Sequence, residues 1–593
     1  MIQRLVAFAV RVPFIILATA ALVVIAGLFA YGRLNIEAYP NPVPPMVEIV
    51  TQPEGWSAEE VERYVTVPLE IGFAGMPGLD HIRSQSLFGL SDIKCYFTWA
   101  IGYREARQEV VNRIQFVQLP AALQPSLSPW NAIGEVFRYR VVGKGYSVRD
   151  LKTVEDWILE RQFKQVPGVI DVVSFGGESK QYHVDVDPYR MRAHRVQLDQ
   201  LFHSIQTANV NVGGQRLVMG EQAYAVRGVG LIKDVHDIED VVISEHGGVP
   251  VRVKDIAIAE VGSAPRLGIV GQDQDDDIVQ GVVLMRYGGE TVTTLKGIHQ
   301  RVDLIRNNNV LPPGVTIETY YDRGSLVALT THTVFENLAV GMTLVSIVLF
   351  LFLGHARAAL ITAVNIPIAL LVAFSGMVAT GTSANLISLG AIDFGIVVDS
   401  TVIMMENIFR HLGPHGKGNV MSERILGAAR EVATPMTFAA TIIAAAFIPL
   451  FTMTGVAGVI FTPLATTYAF AIGGAMTMAL TLTPVLASKF ISVQTAEKDP
   501  FVMRFMYRLY KPLFRWTLAN PGKAIAIGTI AVVAGLSTFP FLGSEFMPKL
   551  EEGNFWIRAT LPTSISLEQS SKYVGLMRSI LRGCPPAPQP CTE

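Results

Sequence analysis

The sequence predicts an α-helical membrane bundle that carries a large α+β region outside the membrane. Half of the 593 residues are hydrophobic, 17% are charged and the mean hydropathy is +0.37, a composition typical of membrane proteins. Apolar segments of membrane-spanning length recur along the chain, and roughly 300 residues with strand and helix patterns separate the first two. The net charge of −2 gives no indication of a nucleic-acid partner.

Seven apolar segments predict membrane helices, at 14–31, 338–353, 359–378, 386–408, 436–454, 464–487 and 524–542. The first is too long for a typical signal-peptide core, so we interpret it as a retained helix. Basic residues accumulate in alternate loops, and the short turns at 381–385 and 455–462 contain no Lys or Arg. Because basic residues stay on the cytoplasmic side, the N-terminus is predicted inside and the 300-residue region outside.

The outer region contains two similar patterns of strands and helices. The first predicts a strand at 46–52, a helix at 57–76, paired strands within 79–99 and a helix at 103–118. Ser57 followed by Glu60 is a capping-box pattern at the start of its helix.

The second pattern predicts a strand at 137–142, a helix at 147–166 and a strand at 169–174. It resumes with a strand at 281–286, a helix at 292–309 and a strand at 315–321. Joined across the gap, these segments predict a split βαβ (ferredoxin-like) sandwich. The gap, 181–277, is predicted to be a β-rich insert.

The fourth apolar segment is the candidate functional element because it carries Asp393, Asp399 and Glu406. A carboxylate at membrane depth costs about 2.5–3.5 kcal/mol even on mild scales, so such groups usually bind ions or relay protons. Asp399 and Glu406 are seven residues apart and share a helix face, whereas Asp393 lies about 120° away from Asp399. A soluble core helix with paired acids is the alternative, and the apolar segments on both sides disfavour it.

Two other features have functional and structural interpretations. His183, Asp185 and Asp187 alternate along a predicted strand, which makes them a weak candidate metal site; a structural role is favoured. The segment 501–516 places Arg504, Arg508, Lys511 and Arg515 among aromatic residues, the pattern of an amphipathic helix on the inner membrane face.

Longer motifs resemble the resistance-nodulation-division transporters, and among them the heavy-metal efflux branch. They are AYPNPVPPMVEI, WSAEEVERYVTVPLE, KQYHVDVDP, LPPGVTIETYYDR, LFLGHARAALITAVNIPIALL and DFGIVVDSTVIMMENIFRH, and the likeness runs from residue 1 to about 583. The resemblance implies a proton-driven exporter of the bacterial inner membrane, without a cofactor. It also implies a homotrimer, a periplasmic adaptor and an outer-membrane channel.

The resemblance implies roles for residues and segments. Asp399 matches the proton-relay aspartate, and Asp393 and Glu406 match additional acids typical of zinc, cobalt, cadmium and nickel exporters. The implied domains are the N-terminal segment with the first membrane helix (1–37), a first porter subdomain (38–134), a second (135–180 with 278–330), a docking insert (181–277), six membrane helices (331–545), the start of a second periplasmic half (546–583) and an aberrant tail (584–593).

The chain departs from the family pattern near its C-terminus. A strand within 543–562 and a helix at 566–581 are expected, and then GCPPAPQPCTE replaces the next strand; its four prolines argue against a strand. This predicts a truncated first half of a transporter. Export of divalent metal cations is the main functional hypothesis, and an exporter of organic compounds and a non-transporting remnant stay open as alternatives.

Overall fold

A computed structural model describes most of the chain, namely residues 2–37, 40–53, 55–120, 123–129, 134–390, 394–412, 421–491, 500–543, 555, 557–562 and 564–583. The chain divides into two compact units. Unit 1 contains Met1–Gly134, Met285–Leu295 and Asp322–Ile557, and unit 2 contains Glu135–Leu284, Lys296–Tyr321 and Arg558–Glu593. The domain bounds given above stay predictions.

The elements before residue 135 begin with two helices and continue into an α/β sandwich. In chain order they are α1 (Ile2–Arg11), α2 (Pro13–Tyr31), β1 (Ile36–Glu37), β2 (Met46–Thr51), α3 (Ala58–Val61), α4 (Val67–Phe73), β3 (Leu79–Leu87), β4 (Leu90–Phe97), α5 (Tyr103–Ile114) and β5 (Ser126–Leu127). A π-helical turn, Glu62–Thr66, joins α3 to α4.

The first sandwich has one antiparallel sheet in the order β3-β4-β2-β5. Ser57 accepts a hydrogen bond from the Glu60 backbone N–H, and the Glu60 side chain accepts one from the Ser57 N–H, so the predicted capping box is confirmed. Leu69, Phe73 and Val110 pack against Ile49 and Ile93 of the sheet in one apolar core. The two-residue fourth strand, β5, was not predicted.

Unit 2 holds a second sandwich and the segment inserted into it. In chain order the elements are β6 (Glu135–Gly143), α6 (Val148–Val154), α7 (Glu160–Lys164), β7 (Val169–Gly176), β8 (Lys180–Val186), α8 (Pro188–Ala193), α9 (Leu198–Ala208), β9 (Val212–Met219), β10 (Gln222–Gly228), α10 (Val235–Glu239), β11 (Val242–His246), β12 (Val249–Arg252), α11 (Val253–Ile256), β13 (Ala257–Ser263), β14 (Val279–Met285), α12 (Thr291–Asn307) and β15 (Val315–Asp322). The π-helical turn Glu155–Leu159 joins α6 to α7.

The second sheet has the order β15-β6-β14-β7. Numbered along each sandwich, both sheets have their first strand between the fourth and the third, so the two sandwiches share one topology. The order βαβ, interruption, βαβ is the split βαβ arrangement expected from the sequence.

The inserted segment contains more helix than its predicted β-rich character. Three strand pairs, β8/β13, β9/β10 and β11/β12, alternate with the four short helices α8 to α11. The helices were missed because each is only one to three turns long, too short for a clear 3.6-residue pattern.

The C-terminal part of unit 1 is built mainly from long helices. They are α13 (Arg323–Leu353), α14 (Ala356–Thr380), α15 (Leu386–Gly390), α16 (Phe394–Leu412), α17 (Met421–Ala446), α18 (Ile448–Phe451), α19 (Gly455–Phe490), α20 (Phe501–Ala519) and α21 (Pro521–Ser537), with the two-residue strand β16 (Ala384–Asn385) between α14 and α15. In unit 2, α22 (Leu567–Leu581) follows, capped by Ser566.

Six helices in the described part of the chain are long and apolar enough to cross a membrane. They are Pro13–Tyr31, Arg323–Phe352, Ala356–Thr380, Met421–Phe451, Gly455–Phe490 and Pro521–Phe541. The predicted span 386–408 is not among them, because α15 and α16 are separate in the described chain and α16 carries three charged residues, Asp399, Glu406 and Arg410.

One predicted turn was wrong. Residues 455–462 belong to α19, which runs unbroken for 36 residues with Pro463 inside it. The segment is apolar enough to continue the helix, so the missing basic residues there do not mark a loop. The other predicted turn begins at Gly381, which has a left-handed backbone (φ 66°) that glycine adopts without strain.

Candidate functional site

The candidate site is built on α16, which packs among α13, α14, α17 and α19. Val397, Val398, Thr401, Met404, Met405 and Ile408 are buried, whereas Gly395, Asp399, Glu406 and Arg410 are exposed. The exposed residues follow each other at intervals of four, seven and four, the repeat of a single helix face. Both carboxylates therefore lie on one uncovered stripe of α16.

The opposite face of α16 is fixed by apolar packing. Met404, Met405 and Ile408 are fully buried in a core that also contains Ala428 of α17 and Ala479 of α19. Small residues at such contacts let helix backbones approach closely. This packing sets the rotation of α16 and thereby leaves Asp399 and Glu406 on its exposed face.

A polar cluster at the C-terminal end of α16 was not predicted. Asn407 is buried and donates from Nδ2 to the Ala428 carbonyl oxygen at 2.8 Å. Glu431 of α17 accepts from Arg410 at 3.3 Å and pairs with His411 at 3.1 Å. The contact with Glu431 holds His411 against α17. Glu431 lies before the predicted membrane segment 436–454, so the sequence gave no reason to select it as a site residue.

A second unpredicted contact joins α14 and α19. Asn365 donates from Nδ2 to the Thr483 hydroxyl at 2.7 Å, and both side chains are buried. The contact gives the Asn365 Nδ2 group an acceptor in a buried position where an unpaired amide is costly, while its Oδ1 has no hydrogen-bond partner within the described residues. An asparagine inside the apolar segment 359–378 was the available signal, and its partner 118 residues away was not visible in the sequence.

The segment leading into α15 is connected through β1 to Thr291, the first residue of α12. Ile36 and Glu37 pair in parallel with Ala384 and Asn385 of β16. Glu37 is buried and accepts hydrogen bonds from the Thr291 hydroxyl at 2.9 and 2.8 Å. Burial raises the pKa of Glu37, and the Thr291 hydrogen bonds and Arg323 oppose the rise.

The three weak metal-site candidates are not assembled as a cation site. His183 and Asp185 lie on β8 opposite Glu260 and Ile258 of β13. Asp187 caps α8, accepting from the backbone N–H groups of Tyr189 and Arg190. Within the residues that the structure describes, no group of three or more His, Cys, Asp and Glu side chains could hold a metal ion.

Asp393, the third proton-relay candidate, lies outside the described residues.

The comparison with known families identifies the chain. A family model described as AcrB/AcrD/AcrF matches residues 5–588. The chain belongs to the AcrB/AcrD/AcrF family. The resemblance to resistance-nodulation-division transporters drawn from the motifs is thereby confirmed.

Relatives within this family carry heavy-metal names. The chain is 35% identical to the cobalt-zinc-cadmium resistance protein CzcA of Cupriavidus metallidurans, over 98% of the chain and 56% of the relative. It is 31% identical to the nickel and cobalt resistance protein CnrA of the same organism, over 96% of the chain and 57% of the relative. A crystal structure of a heavy metal efflux pump matches with a TM-score of 0.88 and 36% identity, over 97% of the chain and 56% of that structure. The chain spans about half the length of these relatives.

Proposed function

We propose that this chain takes part in the export of divalent heavy-metal cations across the bacterial inner membrane, driven by inward proton movement. The observation that carries the proposal is the stripe of α16 on which Asp399 and Glu406 are both exposed. It lies on a helix whose other faces pack among long apolar helices.

The electrostatics of this stripe favour proton binding. A carboxylate near a membrane interior is stabilised by taking up a proton or by pairing with a cation. Asp399 and Glu406 make no ion pair within the described residues. Glu431 of α17, in contrast, forms ion pairs with Arg410 and His411 in the last turn of α16. Asp399 and Glu406 are the proposed proton-exchanging carboxylates because they share the exposed stripe of α16, and Asp393 is proposed as a third on the resemblance alone.

The substrate class follows from ligand chemistry and from the relatives. Carboxylate oxygens suit divalent cations better than copper(I), which prefers thioether and thiolate ligands. The names of two relatives, at 35% and 31% identity, specify cobalt, zinc and cadmium, and nickel and cobalt. Zinc, cobalt, cadmium and nickel are the proposed cations.

The remaining parts of the proposal are carried by family membership. The chain would lie in the inner membrane with both sandwiches in the periplasm as porter subdomains and the insert 181–277 as the docking subdomain. It would assemble as a homotrimer with a periplasmic adaptor and an outer-membrane channel, as a cation/proton antiporter and not an enzyme. The proton gradient would supply the energy, and no cofactor would be needed.

The test is metal-dependent proton flux in proteoliposomes containing the whole chain and an internal pH-sensitive dye. External Zn²⁺ should change the internal pH with the wild-type chain. Asp399→Asn, which keeps the size but not the ionisable proton, should reduce the flux at least tenfold. Glu423→Gln is the matched control, since Glu423 is an exposed carboxylate in the first turn of α17, away from the stripe, and its flux should equal wild type.

Two outcomes contradict the proposal. Undiminished flux in Asp399→Asn would show that the stripe does not relay protons. A wild-type chain that inserts into the vesicles and gives no flux with Zn²⁺, Co²⁺, Cd²⁺ or Ni²⁺ would contradict metal/proton exchange by this chain.

A further inference from the structure

A groove lined by three arginines lies where α1 meets α17 and the beginning of α2. Its volume is about 500 Å³, and Arg4, Arg11 and Arg430 line it together with Phe8 and Val12. Arg4 and Arg11 are seven residues apart on α1 and so project from one helix face. Arg430 reaches the groove from α17, and all three arginines are exposed.

We propose that this groove, the arginine groove, binds the phosphodiester headgroup of an anionic phospholipid. No acidic residue lines it within the described chain, and none of its three arginines forms a salt bridge among the described residues. Guanidinium groups present paired N–H donors that match phosphate oxygens. Basic pockets between membrane helices on the cytoplasmic side are suited to phospholipid headgroups.

Arg410 of α16, near the groove arginines in the bundle, differs from them because it is paired with a carboxylate. Arg410 donates to Glu431, the residue next to Arg430 in sequence, so one cation of this helix pair already has its anion. Arg430 points to the other side, into the groove with Arg4 and Arg11. The three groove arginines therefore concentrate positive charge that an external anion can neutralise.

The packing of α1 explains why the anion should be a lipid and not a soluble phosphate. Val6 and Ala9 are fully buried, and α1 packs on α17 and α19. Leu5 and Phe8, on the same helix as the arginines, remain 41% and 48% exposed. A helix with buried, apolar and basic faces lies at the boundary between headgroups and acyl chains, where Phe8 can contact a lipid tail while the arginines contact its phosphate.

This inference goes beyond the proposed function and does not require transport. It rests on the membrane location that the candidate spans support, and its N-terminal and α17 components are both on the inner side in the topology predicted from basic residues. A failure of metal export leaves the lipid site untouched, because lipid binding is measured without any metal.

The test is native mass spectrometry of the whole chain released from detergent micelles, titrated with dioleoylphosphatidylglycerol or with dioleoylphosphatidylcholine as the zwitterionic comparison. Wild type should bind phosphatidylglycerol at least tenfold more tightly than phosphatidylcholine. Each arginine near a membrane surface strengthens binding to anionic lipid about fivefold. Arg4→Gln/Arg11→Gln/Arg430→Gln should therefore abolish the preference.

Two further variants separate charge from folding. The triple Arg→Lys variant keeps the charges and should retain most of the preference, which shows that the site survives substitution. Arg410→Gln is the matched control, since Arg410 is already paired, and its binding should equal wild type. Phosphatidylglycerol binding that is unchanged in the triple Gln variant overturns the proposal. So does displacement of the lipid by millimolar inorganic phosphate, which would assign the groove to a soluble anion.

Discussion

The two sandwiches have the same strand order and similar helix starts, yet their buried polar groups differ in kind. In the first sandwich, the Thr66 hydroxyl lies at 2.8 Å from the hydroxyls of both Ser86 and Ser91. In the second, Glu155 is fully buried and accepts a hydrogen bond from the Tyr139 hydroxyl at 3.0 Å. One core thus holds neutral hydroxyls and the other holds a carboxyl group.

The two cores differ in electrostatics, because only the second contains a buried group that can ionise near neutral pH. Burial raises the pKa of Glu155 to about 7, with Asp156 adding to the rise and Ser174 and Tyr139 opposing it. Lys152 donates to Asp156 at 3.0 Å and also to Ser174, so an ammonium lies in the same cluster. Hydroxyl groups do not titrate in this range. A change of pH around neutrality therefore acts on the buried carboxyl group of the second sandwich and not on the buried hydroxyls of the first.

The largest expected effect is the loss of this pH dependence in Glu155→Gln. The unfolded carboxyl titrates near 4.5 and the buried one near 7, so the contribution of Glu155 to stability should be greatest below pH 4.5 and fall as the pH rises to 7. The full change is at most about 3 kcal/mol. Glu155→Gln should remove this pH dependence of stability.

Hydrogen exchange measured on the whole chain between pH 5 and pH 8 tests this prediction. After correction for intrinsic exchange rates, peptides from β6, β7 and β14 report the opening free energy of the second sandwich. Peptides from β2 and β4 of the first sandwich are the internal control and should keep the same opening free energy throughout. A pH-dependent opening that persists in Glu155→Gln would assign the dependence to another group.

A smaller effect is expected from removing one hydroxyl in each sandwich. Tyr139→Phe removes one of the hydroxyl donors of the buried Glu155 carboxylate, which costs about 1–3 kcal/mol above pH 7, and less at pH 5, where the carboxyl is protonated. Thr66→Val removes a neutral hydroxyl of similar size and should cost about 1 kcal/mol at every pH.

The same exchange measurement compares these two variants at pH 5 and pH 8. We expect the free-energy cost of the substitution to change with pH only in Tyr139→Phe. Equal pH sensitivity of this cost in both variants would contradict the electrostatic difference between the two sandwiches.

The smallest difference is expected at the helix starts, where the sandwiches are alike. The Ser57 and Ser147 hydroxyls accept from the N–H groups of Glu60 and Asp150 at 3.3 and 3.2 Å. Ser57→Ala and Ser147→Ala should each cost about 1 kcal/mol. Exchange at the first turns of α3 and α6 checks this, and a cost confined to one variant would show that the two capping boxes are not equivalent.

Local signals in the sequence predicted much of this fold. Apolar length located six helices long and apolar enough to cross a membrane, and the pattern from Ser57 to Glu60 located a helix start, because each depends on residues close together in the chain. The π-helical turns at Glu62–Thr66 and Glu155–Leu159 were not predicted. An extra residue per turn has no propensity signature and is set by what the helix packs against.

The candidate site was predictable only in part. The helical repeat places Asp399 and Glu406 on one face without any structure. That this face is uncovered, and that Glu37 is held by Thr291 from 254 positions away, depend on packing between distant segments. The proton-relay roles of Asp393, Asp399 and Glu406 stay predictions.

The pairing of β1 with β16 has a consequence for the order of folding. It joins positions about 350 residues apart with only two residues on each strand, and the Ala384 N–H donates to the Asn35 carbonyl oxygen at 2.8 Å. Closing so long a loop carries a large entropic cost that two residue pairs cannot offset alone. The pairing therefore forms after the intervening segments have folded and been inserted. The backbone amide of Ala384 should therefore be among the last amides of unit 1 to become protected from hydrogen exchange during folding.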